Sequence, residues 1–105
     1  MITNVSLNNT YTTLFKASTG TEQAVTTMFF CNTTSNTAAT VDIFVTPATV
    51  PVSGSNQIIK SLSLPAAETF VFDAEKLILE SGDSINAQAS VANVVVATIS
   101  SVQTS

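Results

Sequence analysis

The stretch FFCNTTSNTAATVDIFV, residues Phe29 to Val45, sets two apolar segments on either side of a run of small polar residues. Alternation of apolar and polar residues with a period of two is typical of a half-buried β-strand. The stretch therefore predicts a β-hairpin whose solvated tip lies over residues 33–38. The side chains predicted to point into the core are Phe29, Cys31, Val41, Ile43 and Val45.

The same alternation recurs along the chain, and helical spacing is almost absent. Turn formers separate the apolar segments at intervals of roughly 8–12 residues, which is typical of a sandwich or jelly roll. We therefore predict an all-β protein, a single β-sandwich of jelly-roll type with about seven or eight antiparallel strands. The predicted domain spans residues 1–105, with residues 1–9 as a candidate N-terminal arm that becomes ordered against a partner.

The predicted strands lie within residues 10–16, 22–32, 39–46, 57–64, 68–73, 84–90 and 93–103. In the fourth of these, Ile58, Leu62 and Leu64 are predicted to share the inner face. The one helical candidate is the short segment Asp73 to Glu80. Its alternative is a bend that leads into a brief strand with Leu77 and Leu79 facing in.

Charge is scarce in this chain. Charged residues make up 10% of the sequence, against about 25% in a typical domain. The net charge is −4, and the only basic side chains are Lys16, Lys60 and Lys76. These values argue against binding to nucleic acid or to an anionic membrane, because both rest on clustered Lys and Arg. The first residues lack the basic and apolar segments of a signal peptide, so we expect a chain made in the cytoplasm.

The sequence offers little for catalysis. It contains no histidine, the commonest general base and metal ligand. Its single cysteine, Cys31, has no histidine partner and is predicted to be an inert, buried thiol. We predict no catalytic residue, no cofactor and no metal. Three alternatives stay open. They are an acid–base carboxylate pair at Asp73/Glu75 or Glu80/Asp83, a Ca²⁺ site using Asp73, Glu75 or Asp83, and sugar stacking on Tyr11.

Bulky side chains fall on both faces of the predicted hairpin. Met28, Phe30 and Phe44 lie opposite Phe29 and Ile43, and leaving several such side chains in water would be unusual. Bends or bulges could rotate them into one core, or a neighbouring subunit could cover them. The second interpretation predicts a protein–protein interface. Its residues would be Met28, Phe30 and Phe44, together with Val50 and Val52 of the long loop over residues 47–56.

Three segments carry a resemblance to a known type of protein: YTTLFKASTGTEQAVTTMFFCNTTSNTAATVDIFVTP, IIKSLSLPAAETFVFD and LILESGDSINAQAS. Together they resemble small β-sandwich virion structural proteins of tailed bacteriophages, including marine and cyanobacterial phages. The resemblance implies a non-enzymatic capsid decoration (cement) protein in the virion. Together with the bulk on both faces of the hairpin, it predicts contacts with the major capsid protein or other virion proteins and favours a homotrimer. A neck, tail or fibre-attachment component is the alternative, and a carbohydrate-binding module is a further one.

Overall fold

The computed structural model describes residues 2–72 and 77–104. These residues form an all-β chain with one turn of 3-10 helix (Gly54–Asn56), which confirms the all-β part of the predicted fold. The strands are β1 (Ile2–Ser6), β2 (Thr12–Lys16), β3 (Gln23–Asn32), β4 (Ala39–Thr46), β5 (Gln57–Leu64), β6 (Thr69–Phe72), β7 (Leu77–Leu79), β8 (Ser84–Ala89) and β9 (Val95–Gln103).

Two antiparallel sheets share the strands. The first sheet has five strands in the order β1-β9-β3-β6, with β7 also paired to β3; the second has four in the order β2-β8-β4-β5. Buried side chains of both sheets belong to one hydrophobic cluster, so the sheets face each other across a single core. Its largest fully buried apolar members are Phe30, Leu7, Met28, Ile43, Leu64, Leu79, Ile85 and Ile99.

The predicted hairpin between β3 and β4 is wrong, because the two strands belong to different sheets. Residues 33–38 cross from the first sheet to the second and form an arch. The buried side chain of Asn32 stabilises the crossing, since its Nδ2 donates to the carbonyls of Thr37 at 2.7 Å and Leu64 at 3.0 Å. A hairpin and an arch carry the same alternating strands and polar tip, so the pattern does not distinguish them.

A β-bulge in β3 reverses the predicted facing of its residues. The register with β9 shifts between Val25 and Thr27, so the strand turns over at that point. Met28 and Phe30 consequently point into the core with no exposed surface, and Phe29 is 39% exposed on the outside. Cys31, predicted to be inside, also lies on the outer face and is partly exposed.

A second bulge, in β5, changes which residues at the start of that strand face the core. The pairs Val41–Leu62 and Ile43–Ile59 enclose an extra residue on β5, where Ser61 adopts a left-handed conformation with φ 54°. Ile59 packs against the core, whereas Ile58, predicted to point inward, is 45% exposed. Leu62 and Leu64 face the core as predicted.

Two segments whose structure the sequence left open are strands. Ile2–Ser6, within the candidate N-terminal arm, pairs with β9 as the edge of the first sheet. In the segment 73–80, residues 73–76 lie outside the described residues, and Leu77–Leu79 form β7. Leu79 is buried and Leu77 packs against the core, which confirms the alternative of a brief strand with both leucines inside.

Candidate interaction surface

The described strands of the first sheet present no charged side chain on its outer face. None of its five strands contains Asp, Glu, Lys or Arg. We call this surface the neutral face, and its apolar side chains are Ile2, Ala24, Phe29, Cys31, Val71, Ile78, Val96 and Val102. In a chain with a net charge of −4, a whole sheet face without a charged side chain is a distinct physical feature.

Phe29 stands at the centre of one apolar cluster on the neutral face. Its neighbours in register are Val71 on β6, which is 51% exposed, and Thr98 on β9. One row along, Cys31 lies between Thr69 and Val96. This half of the face thus presents an aromatic ring, a thiol and two valines side by side.

A second apolar row crosses the other half of the neutral face. There Ala24 of β3 lies between Ile78 of β7 and Val102 of β9, and the last two are both exposed. The hydroxyl groups of Thr26 and Ser100 lie between the two rows, and Thr26 Oγ1 donates to the carbonyl of Ser100 at 3.2 Å. The face therefore alternates apolar rows with neutral hydrogen-bonding groups.

The outer face of the second sheet is different, since its strands contain Lys16, Asp42 and Lys60. At its centre the buried Asn86 accepts a hydrogen bond at Oδ1 from Thr13 Oγ1 at 2.8 Å. Its Nδ2 lies 3.1 Å from Thr46 Oγ1, to which it donates. This face thus satisfies its buried polar groups internally and places charge around them.

The predicted interface of Met28, Phe30 and Phe44 does not lie on the surface. The β3 bulge turns Met28 and Phe30 into the core, and Phe44 is 3% exposed. Phe44 lies on the outer side of the second sheet, where the exposed ring of Tyr11 meets it edge-on with a centroid distance of 5.1 Å. For the β3 residues Met28 and Phe30, the structure agrees with the first interpretation, in which a bulge rotates the bulky side chains into one core.

The loop residues of the same predicted interface are accessible. Val50 is exposed and Val52 is partly exposed, both between β4 and the 3-10 turn. They lie on the connection from β4 to β5 in the second sheet, so they are not part of the neutral face. The structure therefore does not bring the five predicted interface residues together as one surface.

The candidate carboxylates are divided by the structure. Asp73 and Glu75 lie outside the described residues. The carboxylate of Asp83 orders its surroundings, because Oδ1 accepts from the amide of Ala48 at 2.9 Å and Oδ2 from the amide of Glu80 at 3.0 Å. Asp83 thus joins the turn before β8 to the loop after β4.

The described ranges, 2–72 and 77–104, contain no pocket and no group of three or more His, Cys, Asp or Glu side chains placed to hold a metal ion. Within the same ranges no helix has the length and hydropathy needed to cross a membrane. Tyr11, the residue considered for sugar stacking, is exposed beside Phe44.

Sequence reasoning missed the neutral face, although part of the signal is present. The alternation in TFVF places Phe70 and Phe72 inside and leaves Val71 outside, as the structure has it. The absence of charge from these segments is likewise visible in the sequence. The exposure of Phe29 has no such signal, because it depends on the bulge beside Thr26.

Comparison with known proteins finds no similarity on which to build: no family model, no curated protein and no solved structure matches the chain.

Proposed function

We propose that this chain is a non-enzymatic structural protein of a tailed-phage virion, made in the host cytoplasm, that binds the capsid lattice as a decoration (cement) protein. The neutral face is the contact surface in this proposal. The observation that carries it is the exposure of Phe29, Val71, Ile78 and Val102 on a sheet without charged residues. The resemblance of the sequence to small phage virion proteins supplies the class of partner.

The strand pairing supports a jelly-roll assignment within this proposal. β1 pairs with β9, β2 with β8, β3 with β6 and β4 with β5, so the first half of the chain pairs with the second half in reverse order. With β7 counted as a continuation of β6 along β3, this is one long hairpin rolled into two four-stranded sheets. Viral capsid proteins commonly use this architecture.

The energetics of association favour the neutral face over the second sheet. Covering Phe29 and Val71 removes apolar surface from water at about 25 cal/mol per Å², and no charge on the face needs desolvation. On the second sheet, a partner would have to desolvate or pair Lys16, Lys60 and Asp42. A cement protein binds many identical lattice sites, so a surface that needs few specific charge pairs suits the role.

Binding to capsids tests the proposal. The protein is mixed with heads of the phage that encodes it and co-sedimentation is measured. Val71→Lys places a charge in the neutral face, and we expect it to weaken binding at least about tenfold, because the charge must be desolvated on contact. The matched control is Ile58→Lys, an exposed aliphatic residue of an edge strand in the second sheet, which should bind within about twofold of the wild type. Failure of the wild type to bind, or equal loss in both variants, would contradict the proposal.

Cys31 provides a second readout, since it is the only cysteine and lies on the neutral face. Its labelling by a maleimide should slow when capsids are added. The alternative role, in the neck, tail or fibre base, uses the same face on a different partner. Separate assays with purified heads and purified tails distinguish the two, because protection of Cys31 by tails alone would assign the protein there.

A further inference from the structure

The edges of the second sheet are protected against pairing with another strand. Edge strands of native proteins carry charges, bulges or short lengths for this purpose. β2 has a bulge between Thr13 and Phe15 and ends on Lys16. β5 carries Lys60 and the bulge at Ser61, whose amide donates to Asp42 Oδ1 at 2.6 Å.

In the part of the chain that the structure describes, one edge of the first sheet consists of two short strands. β6 has four residues and β7 has three, and they occupy successive parts of the same side of β3. A partner strand would find no continuous row of backbone groups across both in the described residues.

The opposite edge of the first sheet is β1, a single strand of five residues. Ile2–Ser6 pairs with β9 in unbroken register from Ile2–Ser100 to Ser6–Val96. The strand contains no charge, no proline and no bulge. Among the described edges it is the one with a continuous, neutral row of backbone groups.

The hydrogen-bonding pattern identifies which groups face outward. The amide of Leu7 donates to the carbonyl of Val95 at 2.8 Å, which places Val5 and Thr3 in the alternate positions that bond to β9. The backbone N–H and C=O groups of Ile2, Asn4 and Ser6 therefore point away from β9. The side chains of these three residues are exposed as well.

We propose that β1 pairs with β1 of a second copy of this chain, antiparallel about a two-fold axis at Asn4. In this register Asn4 faces Asn4 of the second copy and Ile2 faces Ser6, so all three outward residues bond in both copies. A second copy is the favoured occupant because the contact is self-complementary and neutral. Two chains of net charge −4 can meet here without opposing like charges. The pairing would join the two five-stranded sheets into one.

The same geometry distinguishes the two-fold pair from the homotrimer expected from the resemblance. A three-fold ring needs a head-to-tail contact between two different surfaces. By strand addition it would require a second open edge, and the other edges are bulged, charged or short. The inference concerns an edge and not the neutral face, so it does not rest on the proposed virion role.

The test is the oligomeric state of the full chain, measured by light scattering at concentrations up to about 1 mM. We expect the wild type to reach twice its mass of 10.9 kDa. Asn4→Pro removes an outward N–H that β9 does not use, and Asn4→Lys sets two like charges opposite each other across the axis. Both variants should raise the dimer dissociation constant at least about tenfold.

Thr98→Lys is the matched control. Thr98 pairs with Asn4 on the adjacent strand, and Thr98 Oγ1 donates to Asn4 Oδ1 at 2.7 Å. Thr98→Lys and Asn4→Lys therefore remove the same hydrogen bond and add the same charge to the same face, but only Asn4 lies at the edge. Thr98→Lys should remain dimeric, and circular dichroism should show a folded β protein for each variant.

Amide hydrogen exchange gives a readout that does not depend on variants. Protection of the Asn4 and Ser6 amides should rise with protein concentration, while the Thr3 and Val5 amides, already bonded to β9, should change little. A wild type that stays monomeric to about 1 mM would overturn the proposal, even if a strand of another protein occupied β1. The proposal would also be overturned if both Asn4 variants remained dimeric. The same holds if Thr98→Lys raised the dimer dissociation constant as much as the Asn4 variants do.

Discussion

Asn32 Nδ2, at the end of β3, donates a hydrogen bond of 3.0 Å to the carbonyl oxygen of Leu64 at the end of β5. This bond joins the first sheet to the second inside the protein, since Asn32 is 1% exposed. The other polar contacts of the side chain are also used: Nδ2 donates to the Thr37 carbonyl, and Oδ1 accepts from the Thr34 amide at 3.0 Å. The arch between β3 and β4 is therefore held by one satisfied amide.

Asn32→Asp should destabilise the fold by roughly 2–4 kcal/mol, because a carboxylate cannot donate to the two carbonyls and would be buried beside them. Urea unfolding followed by circular dichroism measures the change. Asn36→Asp in the exposed part of the same arch keeps its acceptor for Thr37 Oγ1 and serves as the control. Equal stability of the two variants would show that Asn32 does not hold the arch.

Truncation of the adjacent phenylalanines in β3 tests the bulge. Phe30→Ala should cost about 3–5 kcal/mol, since Phe30 is fully buried and leaves a cavity. Phe29→Ala should cost no more than about 1.5 kcal/mol, because its ring is already partly in water. Urea unfolding measures both losses of stability. A larger loss for Phe29→Ala than for Phe30→Ala would contradict the bulge and favour the inward placement of Phe29 that simple alternation predicts.

The glycines provide a graded series. Gly82 has φ +85°, and an added Cβ would lie 2.8 Å from the Cβ of Ala48. Gly20 has φ +79° with open space around it, and Gly54 has neither constraint. We expect Gly82→Ala to lower stability most, by roughly 2–3 kcal/mol, Gly20→Ala by about 1 kcal/mol, and Gly54→Ala by less than about 0.5 kcal/mol. Thermal unfolding of the three variants should follow that order, and equal midpoints would contradict it.

Asp83→Ala tests the link between the turn before β8 and the loop after β4. It removes the acceptors of the Ala48 and Glu80 amides, one partly buried and one exposed, so we expect a loss of roughly 1–3 kcal/mol. Glu80→Ala, in the same turn, is the control and should change stability by less than about 0.5 kcal/mol. Native-state hydrogen exchange should show faster exchange of the Ala48 amide in Asp83→Ala only.

The fold class was predictable because alternation is a local property. β4, β8 and β9 lie within the predicted segments, and Leu77 and Leu79 face the core in the brief strand considered for that segment. Which side chains of a strand face the core was predictable only as far as the first β-bulge in that strand. The extra residue Thr26 in β3 exchanges the facing of Phe29 and Phe30. The extra residue at Ser61 in β5 exchanges the facing of Ile58 and Ile59. Nothing in the local pattern marks these positions, since a bulge is defined by the partner strand.

The interaction surface was mispredicted for the same reason. The predicted interface assumed uninterrupted alternation through Met28 and Phe30, so the bulge moved it into the core. The lack of charge on five strands was readable, but the sequence alone does not show that these five strands form one sheet. That assignment depends on pairings between residues as distant as Ile2 and Ser100.

Those distant pairings also determine when the chain can fold. β3 pairs with β9 through contacts such as Phe30–Ala97, and β1 pairs with the same strand. Contacts of such sequence separation close large loops and are typical of domains that fold in milliseconds to seconds. During synthesis, β3 therefore stays without this partner until residues 95–103 have been made, and its apolar side chains are open to aggregation until then.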